Sequence, residues 1–154
     1  MQVIPTNVYG KHDNFSLSSG HVIPSLIHKC YLAGNSNTDF VVLGSGRPLR
    51  QFIYSKDLAK LMVWAVKHYS EPDPIILSAP EELSIGAVAQ AVAVALGFTG
   101  KLVFDTAKAD GQFKKTVSNQ KLESCLPNFK FTNLACGLAD TVKWFVENFQ
   151  EARK

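Results

Sequence analysis

Residues 3–24 read VIPTNVYGKHDNFSLSSGHVIP, and the organisation of the whole chain can be read from this stretch. Val3 and Ile4 form a short apolar strand that Pro5 ends, because proline has no backbone N–H to donate to a sheet. Residues 6–20 are rich in Asn, Asp, Ser, Gly and His, which hydrogen-bond locally and favour loops. The stretch therefore predicts a long polar loop at a strand end, where α/β proteins bind small ligands.

His21 closes this loop at the start of a predicted helix. From Ile23 to Tyr31 the apolar residues recur with the period of one helix face, which predicts a helix from Val22 to Ala33. An imidazole titrates near neutral pH and can donate or accept a proton, so His21 is the strongest catalytic candidate. A histidine at this position could instead cap the helix or bond to a neighbouring loop.

The rest of the chain alternates short strands with helices. Strands are predicted at 39–43, 49–54, 75–77 and 101–104, and helices after Ser55, after Ser84, at 120–126 and at 133–151. One buried stripe is predicted for the helix after Ser55, formed by Leu58, Leu61, Met62, Ala65 and Val66. The glycine turn at 44–46 lacks the third glycine and the following helix of a dinucleotide-binding turn. The pattern predicts a single mixed α/β unit over residues 1–154.

Composition excludes several classes of function. Lysine and arginine number 16 against 13 aspartate and glutamate residues, an excess too small and scattered to indicate nucleic acid binding. Cys30, Cys125 and Cys136 include no CxxC pair, so neither a zinc site nor a disulfide framework is indicated. We expect no metal, reduced thiols and a cytoplasmic location. No apolar run is long enough to span a bilayer, so no membrane partner is expected.

Longer motifs then resemble a known enzyme family. PTNVYG at 5–10, HDNF at 12–15, GHVIP at 20–24, GSGRPLRQFIY at 44–54 and FDTAKADGQFKK at 104–115 are similar in order and spacing to the GDP-L-fucose synthases. These enzymes are extended short-chain dehydrogenase/reductases. They epimerise C3 and C5 of GDP-4-keto-6-deoxy-D-mannose and reduce C4 with NADPH. The resemblance covers essentially the whole chain and implies that it is the C-terminal, substrate-binding half of such an enzyme.

The resemblance also implies roles for individual residues. Pro5, Thr6, Asn7, Val8 and His21 match positions at the nicotinamide end of NADP(H). His21 further matches the acid of the epimerisation, which is paired with a cysteine lying upstream. The positions that bind the GDP-sugar are matched by Lys29, Leu43, Arg50, Asp110 and Lys115.

The substrate positions have distinct expected chemistry. Arg50 can grip a diphosphate with two parallel hydrogen bonds, with Lys115 adding charge, and Asp110 can accept from a guanine or ribose. Leu43 departs from the family pattern, since many relatives carry a tryptophan there that packs against the substrate. We expect His21, Arg50 and Asp110 to converge on one cavity that holds the sugar diphosphate.

Two features of the superfamily are absent from the chain. No tyrosine has a lysine four residues later, and no glycine-rich strand–turn–helix is present. We therefore expect an incomplete NADP(H) site and no turnover by this fragment, whose parent is expected to be a homodimer. Two alternatives stay open: a non-catalytic, reductase-like domain that associates with proteins, and a related nucleotide-sugar epimerase or reductase. The HDNF and FDTAKADG motifs argue against the second alternative.

Overall fold

The computed structural model describes residues 2–154 and confirms the predicted mixed α/β class. The helices are α1 (Val22–Ser36), α2 (Ser55–His68), α3 (Ile85–Ala95), α4 (Gln120–Cys125) and α5 (Leu134–Glu147). The strands are β1 (Val3–Pro5), β2 (Asn7–Tyr9), β3 (Phe40–Leu43), β4 (Leu49–Arg50), β5 (Phe52–Tyr54), β6 (Ile75–Leu77), β7 (Leu83–Ser84), β8 (Leu102–Asp105) and β9 (Lys114–Lys115). Within residues 2–154, no helix has the length and apolar character required to cross a membrane.

The extended segment at the start of the chain changes its partner strand partway along. β1 pairs in parallel with β6, and β2 pairs in parallel with β5. Thr6 lies between the two strands, and its backbone N–H still donates to the carbonyl of Leu77 at 3.3 Å. The segment therefore runs from one small sheet into another without a turn.

The predicted loop from Thr6 onward is wrong for Asn7–Tyr9, which form β2. Asparagine favours loops when judged locally, but the parallel ladder with β5 supplies backbone partners for this segment. Burial adds to this effect, because Tyr9 is only 2% exposed. Tertiary pairing thus overrides local preference, and the polar loop begins at Gly10.

The remaining strands form two further sheets. β3 pairs in parallel with β8 over the full length of both strands. β4 lies between β7, which is antiparallel to it, and β9, which is parallel to it. The sequence pattern did not predict β7 and β9, because two-residue strands are too short to show an alternating pattern.

Two groups of buried side chains hold these elements together. The larger lies among α1, α3 and α5 and includes the fully buried rings of Phe15, Phe40 and Phe145. The smaller lies under α2 and includes Ile53 and Leu61. Phe15 belongs to the loop between β2 and α1, and its N–H donates to the carbonyl of Arg153 at 2.8 Å. The loop is consequently anchored by the core and by the chain's last residues.

The apolar stripe predicted for α2 is only partly correct. Leu61 and Ala65 are buried as expected, but Met62 is 41% exposed and Val66 is 72% exposed. These two side chains lie too far around the helix from Leu61 to reach the same core. Helix α2 therefore has a second apolar surface that this chain does not cover.

β4 and β5 are separated at Gln51, within the single strand predicted at 49–54. Gln51 is 3% exposed, and its side-chain amide bonds to the backbone of two other segments. Its Oε1 accepts from the N–H of Val117 at 2.8 Å, while its Nε2 donates to the carbonyls of Val117 at 3.2 Å and Ala79 at 3.3 Å. One buried side chain thus joins three stretches of backbone that pass beside the sheet.

Asp140 on α5 joins the loop after β2 to the helices. Its carboxylate accepts from the hydroxyl of Tyr54 and pairs with Lys11 at 2.9 Å and Lys56 at 3.1 Å. The hydrogen bond from Tyr54, followed by those from the two lysines, holds the pKa of Asp140 well below its usual range. Burial, with the bond to Asp140, raises the pKa of Tyr54 to about 12, so Tyr54 remains a donor at neutral pH.

We predict that Gln51→Leu lowers the free energy of unfolding by about 1–3 kcal/mol, because it leaves the part-buried backbone N–H of Val117 and carbonyl of Ala79 without their partners. Urea denaturation measures this change. Amide hydrogen exchange at Val117 should accelerate in the same variant.

Gln90→Leu is the matched control, because Gln90 lies on the exposed side of α3. Its free energy of unfolding should stay within about 0.5 kcal/mol of wild type. Equal destabilisation by the two substitutions would contradict the role assigned to Gln51.

We predict that Asp140→Asn destabilises the chain by about 1 kcal/mol at neutral pH and by less in acid. The pKa of Asp140 is lowered in the folded state, so its contribution is present above the unfolded pKa and is lost as pH falls through the folded one. The difference between wild type and variant should be constant above about pH 5 and shrink towards about pH 2. Urea denaturation across this range measures it.

Glu147→Gln serves as the control for charge, since Glu147 makes only an exposed pair with Lys143 at 3.9 Å. Its stability should follow wild type at every pH. A wild-type-like pH profile for Asp140→Asn would refute the stabilising role of the Asp140 cluster.

Candidate functional site

A cavity of about 580 Å³ opens along the extended segment that contains β1 and β2. Residues 4–13 form one wall of this cavity. The other lining residues are His21, Ser55, Ile76, Lys115 and Val117. The charged and imidazole-bearing residues of this lining come from the loop after β2, from the start of α1 and from β9.

All five residues predicted to contact the cofactor line this cavity, namely Pro5, Thr6, Asn7, Val8 and His21. Two of their side chains also fasten the segment to its neighbours. Asn7 Nδ2 donates to the carbonyl of Gln51 at 2.8 Å, and Thr6 Oγ1 donates to Ser78 Oγ at 3.3 Å. These bonds hold the wall in place from the side of β5 and β6.

His21 is the N-cap residue of α1, but its imidazole does not cap the helix. The backbone carbonyl of His21 accepts from the N–H of Ser25 at 3.0 Å and from its hydroxyl at 2.7 Å. The side chain is exposed at the cavity wall. Helix capping therefore does not explain the histidine, and its ring is available to a ligand.

The cavity has a basic rim. Lys11, His12, His21 and Lys115 all line it, whereas Asp13 is its one carboxylate among the residues described. Burial raises the pKa of Asp13, while the N–H of Asn14 and then the nearby His21 act in the opposite direction. This balance of charge suits an anionic ligand.

His12 shapes the loop that carries the rim. Its backbone is in the left-handed region, with φ of 62°, which is uncommon for a residue with a side chain. Its imidazole packs on the indole of Trp144, with 4.4 Å between ring centroids. The strain of the turn is thus offset by contact with α5, in agreement with a loop-ordering role.

Arg50 and Asp110 do not line this cavity, so the expected convergence of these groups with His21 is wrong. Arg50 donates to the carbonyls of Leu49 at 2.7 Å and Gln112 at 2.8 Å. Asp110 is bound by Ser45, whose N–H and hydroxyl donate to its carboxylate at 2.6 and 2.7 Å.

Two hydrogen bonds from Ser45 lower the pKa of Asp110, the one from the hydroxyl by more than the one from the backbone N–H. The same contact explains the glycine at position 44. A Cβ there would come within 2.4 Å of Asp110 Oδ1, and the φ of +86° also favours glycine. Asp110 therefore closes the turn between β3 and β4, a structural role that the sequence did not indicate.

Lys115 lines the cavity and lies beside Arg50 on the neighbouring strand. The two residues are register partners in the parallel pair of β4 and β9, so their side chains project from the same face of adjacent strands. Of the two, only Lys115 lines the cavity, whereas the Arg50 guanidinium bonds to Leu49 and Gln112.

Lys29 and Leu43 lie in a separate shallow cavity of about 320 Å³ beside β3. The Leu43 side chain is 53% exposed there. The predicted substrate residues are therefore distributed over two cavities and the turn that separates them. Lys115 is the only one of the five that lines the cavity of His21.

Sequence reasoning missed three residues that build the site. Gln51 anchors Val117, and Lys11 and Asp13 contribute charge to the rim. A polar residue inside a predicted strand was the available signal for Gln51, because such a residue needs a buried partner. Lys11 and Asp13 flank His12, and this cluster of charge in a loop was the corresponding signal.

Within residues 2–154, no group of three His, Cys, Asp or Glu side chains is placed to hold a metal ion. The cysteines are dispersed: Cys30 is buried, while Cys125 and Cys136 are exposed. Burial raises the pKa of the Cys30 thiol to about 11, so it is protonated at neutral pH. Cys30 therefore offers no nucleophile to the site.

Two comparisons identify relatives that match this chain over about half of their own length. The chain is 54% identical over 154 residues to GDP-L-fucose synthase of Dictyostelium discoideum, covering 99% of this chain and 48% of that protein. It superimposes with a TM-score of 0.97 and 52% identity on a GDP-L-fucose synthetase from Naegleria fowleri whose crystal structure has NADP bound. That match covers 99% of this chain and 46% of the other. The chain thus spans about half the length of these relatives.

The fold extends to more distant enzymes. UDP-glucose 4-epimerase from Thermotoga maritima superimposes with a TM-score of 0.79 at 16% identity, over 96% of this chain and 46% of that one. At this identity the similarity concerns the fold alone. The model of the NAD dependent epimerase/dehydratase family matches residues 1–86, more than half of the chain. The chain therefore belongs to the NAD dependent epimerase/dehydratase family.

Proposed function

We propose that this chain is the substrate-binding half of a GDP-L-fucose synthase. The complete enzyme would epimerise C3 and C5 of GDP-4-keto-6-deoxy-D-mannose and reduce C4 with NADPH to give GDP-L-fucose. The observation that carries the proposal is the cavity in which Pro5–Val8, His21 and Lys115 meet, in a chain 54% identical to the Dictyostelium synthase.

Residues Pro5–Val8, with His21, would hold the nicotinamide end of NADP(H). Their segment offers apolar walls at Pro5 and Val8 and polar groups at Thr6 and Asn7, which suits a flat ring bearing an amide. Bound NADPH supplies the hydride that reduces the ketone. The protein's part is to orient the ring and to exclude water from the side that the segment covers.

His21 would act as the acid of the epimerisation. A ketone at C4 makes the hydrogens on C3 and C5 acidic, so a base can remove one from one face of the sugar. Inversion then requires a proton on the opposite face. The imidazolium of His21 breaks its N–H bond as the new C–H bond forms, and neutral imidazole remains. The base belongs to the part of the relatives that this chain does not span.

Arg50 and Lys115 would hold the diphosphate from adjacent strands. Arg50 uses some of its five N–H donors on Leu49 and Gln112 and retains others for a phosphate oxygen. Asp110 would accept from the guanine or ribose while it remains bound to Ser45, because a carboxylate has more acceptor sites than Ser45 fills. Lys29 and Leu43 would contact the substrate from the second cavity.

The 154-residue chain by itself is proposed to bind GDP-sugars weakly and to turn over none of them. Reduction in this superfamily needs a tyrosine followed four residues later by a lysine, and this chain has no such pair. The complete enzyme is proposed to be a cytoplasmic homodimer that uses NADP(H).

For the chain as it stands, we predict measurable heats of binding by isothermal titration calorimetry for GDP and GDP-mannose and smaller heats for UDP. Arg50→Ala should weaken GDP binding about tenfold, because it removes a charge-assisted contact. Arg50→Lys should recover part of this loss.

Arg47→Ala is the control, since Arg47 is exposed and its backbone rather than its side chain contacts Ser45. Its affinity for GDP should match wild type. Equal heats of binding for GDP and UDP would contradict the role of Asp110 in nucleotide recognition. An equal loss of GDP affinity in Arg50→Ala and Arg47→Ala would contradict the role of Arg50 at the diphosphate.

In a protein that joins this chain to the glycine-rich half of a synthase, we predict that His21→Ala lowers turnover of GDP-4-keto-6-deoxy-D-mannose by about 10²–10⁴-fold. The loss follows from removal of the proton donor. NADPH oxidation, followed by absorbance, measures turnover. NADPH affinity should fall by far less than turnover, because Pro5–Val8 still hold the nicotinamide.

His68→Ala is the matched control, because His68 is exposed at the end of α2. Its turnover should equal that of the unsubstituted protein. Turnover by His21→Ala at the same rate as by His68→Ala would rule out the acid role.

A further inference from the structure

His28 is a buried histidine on α1 that bonds to the loop between β2 and α1. It is 6% exposed, and its Nδ1 lies 2.8 Å from the backbone carbonyl oxygen of Phe15. Because a carbonyl oxygen only accepts hydrogen bonds, Nδ1 carries a proton and is the donor. His28 lies two turns along the helix from His21, yet the function proposed above gives it no role.

The bond from His28 completes the anchoring of Phe15, which lies midway along this loop. The N–H of Phe15 donates to the carbonyl of Arg153 at 2.8 Å, and the ring of Phe15 is fully buried. Both backbone groups of one loop residue are thus bound by distant parts of the chain. A loop fixed at its midpoint behaves as two short spans, each with less conformational freedom than the whole. Lys11 and His12, in the first span, line the cavity.

A continuous series of ring contacts connects His28 with the cavity. The imidazole of His28 packs on Phe145 at 5.6 Å between centroids, and Phe145 stacks on Phe15 at 4.4 Å. The ring of Phe15 lies 6.0 Å from Trp144, whose indole contacts the imidazole of His12 at 4.4 Å. The backbone of His12 is left-handed, which is uncommon for a residue with a side chain and depends on such support. A displacement of Phe15 would therefore also displace His12.

We propose that His28 is a positioning residue for the part of the basic rim formed by Lys11 and His12, and that it acts through Phe15. His28 itself does not line the cavity. The ion pair of Lys11 with Asp140 holds a side chain, whereas the bond from His28 holds the backbone of the loop. That this rim binds the GDP-sugar rests on the proposed function. The placement of the loop by His28 does not.

Proton NMR and limited proteolysis of the 154-residue chain, without ligand, test this placement. His28→Leu keeps an apolar side chain in the core but removes the donor. The ring current of the indole shifts the imidazole resonance of His12, which a His12→Gln variant assigns. We expect His28→Leu to move this resonance towards that of the exposed His68. Trypsin cleavage after Lys11 should accelerate about tenfold, the factor that corresponds to the loss of one buried hydrogen bond.

His28→Asn is the conservative variant, because its amide nitrogen occupies the position of Nδ1 in the side chain and is also a donor. It should restore the resonance of His12 and most of the resistance to trypsin. In the wild-type chain, the Nδ1–H of His28 should be visible as a slowly exchanging imidazole proton. This last measurement needs no variant, so it holds even where His28→Leu fails to fold.

Tyr31→Leu is the matched control. Like His28, Tyr31 packs from α1 on Phe145 and Phe149, at 5.6 and 4.7 Å between ring centroids. Among the described residues, the side chain of Tyr31 makes no hydrogen bond to the loop, so the control removes packing against α5 without removing a loop anchor. Tyr31→Leu should lower the stability of the chain in urea but leave the resonance of His12 and cleavage after Lys11 as in wild type.

In the protein that joins this chain to the glycine-rich half of a synthase, His28→Leu should raise KM for GDP-4-keto-6-deoxy-D-mannose several-fold with little change in kcat. This division is expected because the displaced rim contributes binding, whereas His21, the proposed acid, lies at the start of α1. Tyr31→Leu should change neither constant.

An unmoved His12 resonance in His28→Leu, or equal cleavage after Lys11 in His28→Leu and Tyr31→Leu, would overturn the inference. So would an absent Nδ1–H signal, a failure of His28→Asn to restore the loop, or an unchanged KM in the joined protein. A joined protein that converts no GDP-sugar would contradict the proposed function instead, because the NMR and cleavage measurements decide the placement of the loop without any turnover.

Discussion

The change of strand partner at Thr6 is the constraint on which the site depends. Before it the chain pairs with β6, and after it the chain pairs with β5. Each ladder contains only three residues, so neither sheet is stable without the packing around it. Because the segment must satisfy both ladders, it stays extended through Pro5–Val8 and presents that backbone as a cavity wall.

The loop that follows is held by interactions that do not belong to the cavity itself. Phe15 is buried among the aromatic rings of α5, and Asp140 receives Lys11 and Tyr54. Without these contacts, a loop rich in polar residues could change its conformation at little cost in free energy. Its attachment to α5 places the basic rim against the wall formed by the strands. The last helix thus contributes to the site without lining it.

Backbone pairing and backbone hydrogen bonds also position the charged residues. Arg50 and Lys115 project from the same face because they are register partners in β4 and β9. Gln51, which lies between β4 and β5, binds the backbone of Val117, two residues after β9. Asp110 is drawn to Ser45 and closes the glycine turn. The residues predicted to bind substrate consequently lie in two separate cavities, on β4 and in the contact that closes the turn between β3 and β4.

Strand β1 lies beside both helix α2 and the open cavity. Among the described residues its second edge has no partner strand. Packing on one side explains why Leu61 and Ala65 are buried, and the absence of a layer on the other side explains why Met62 and Val66 are not. The apolar periodicity of α2 is thus satisfied only in part by this chain.

The amino-acid sequence was enough to establish the α/β class, the helices and the capping of α3 by Ser84, because these follow from local periodicity and capping chemistry. The grouping of Pro5–Val8 with His21 came from the family resemblance, and all five line one cavity. The sequence could not establish the partner strands of β1 and β2, the clamp of Gln51 or the capture of Asp110 by Ser45. Those contacts join residues 28 to 72 positions apart. Their formation depends on which surfaces the packed helices bring together, and that is a property of the folded chain as a whole.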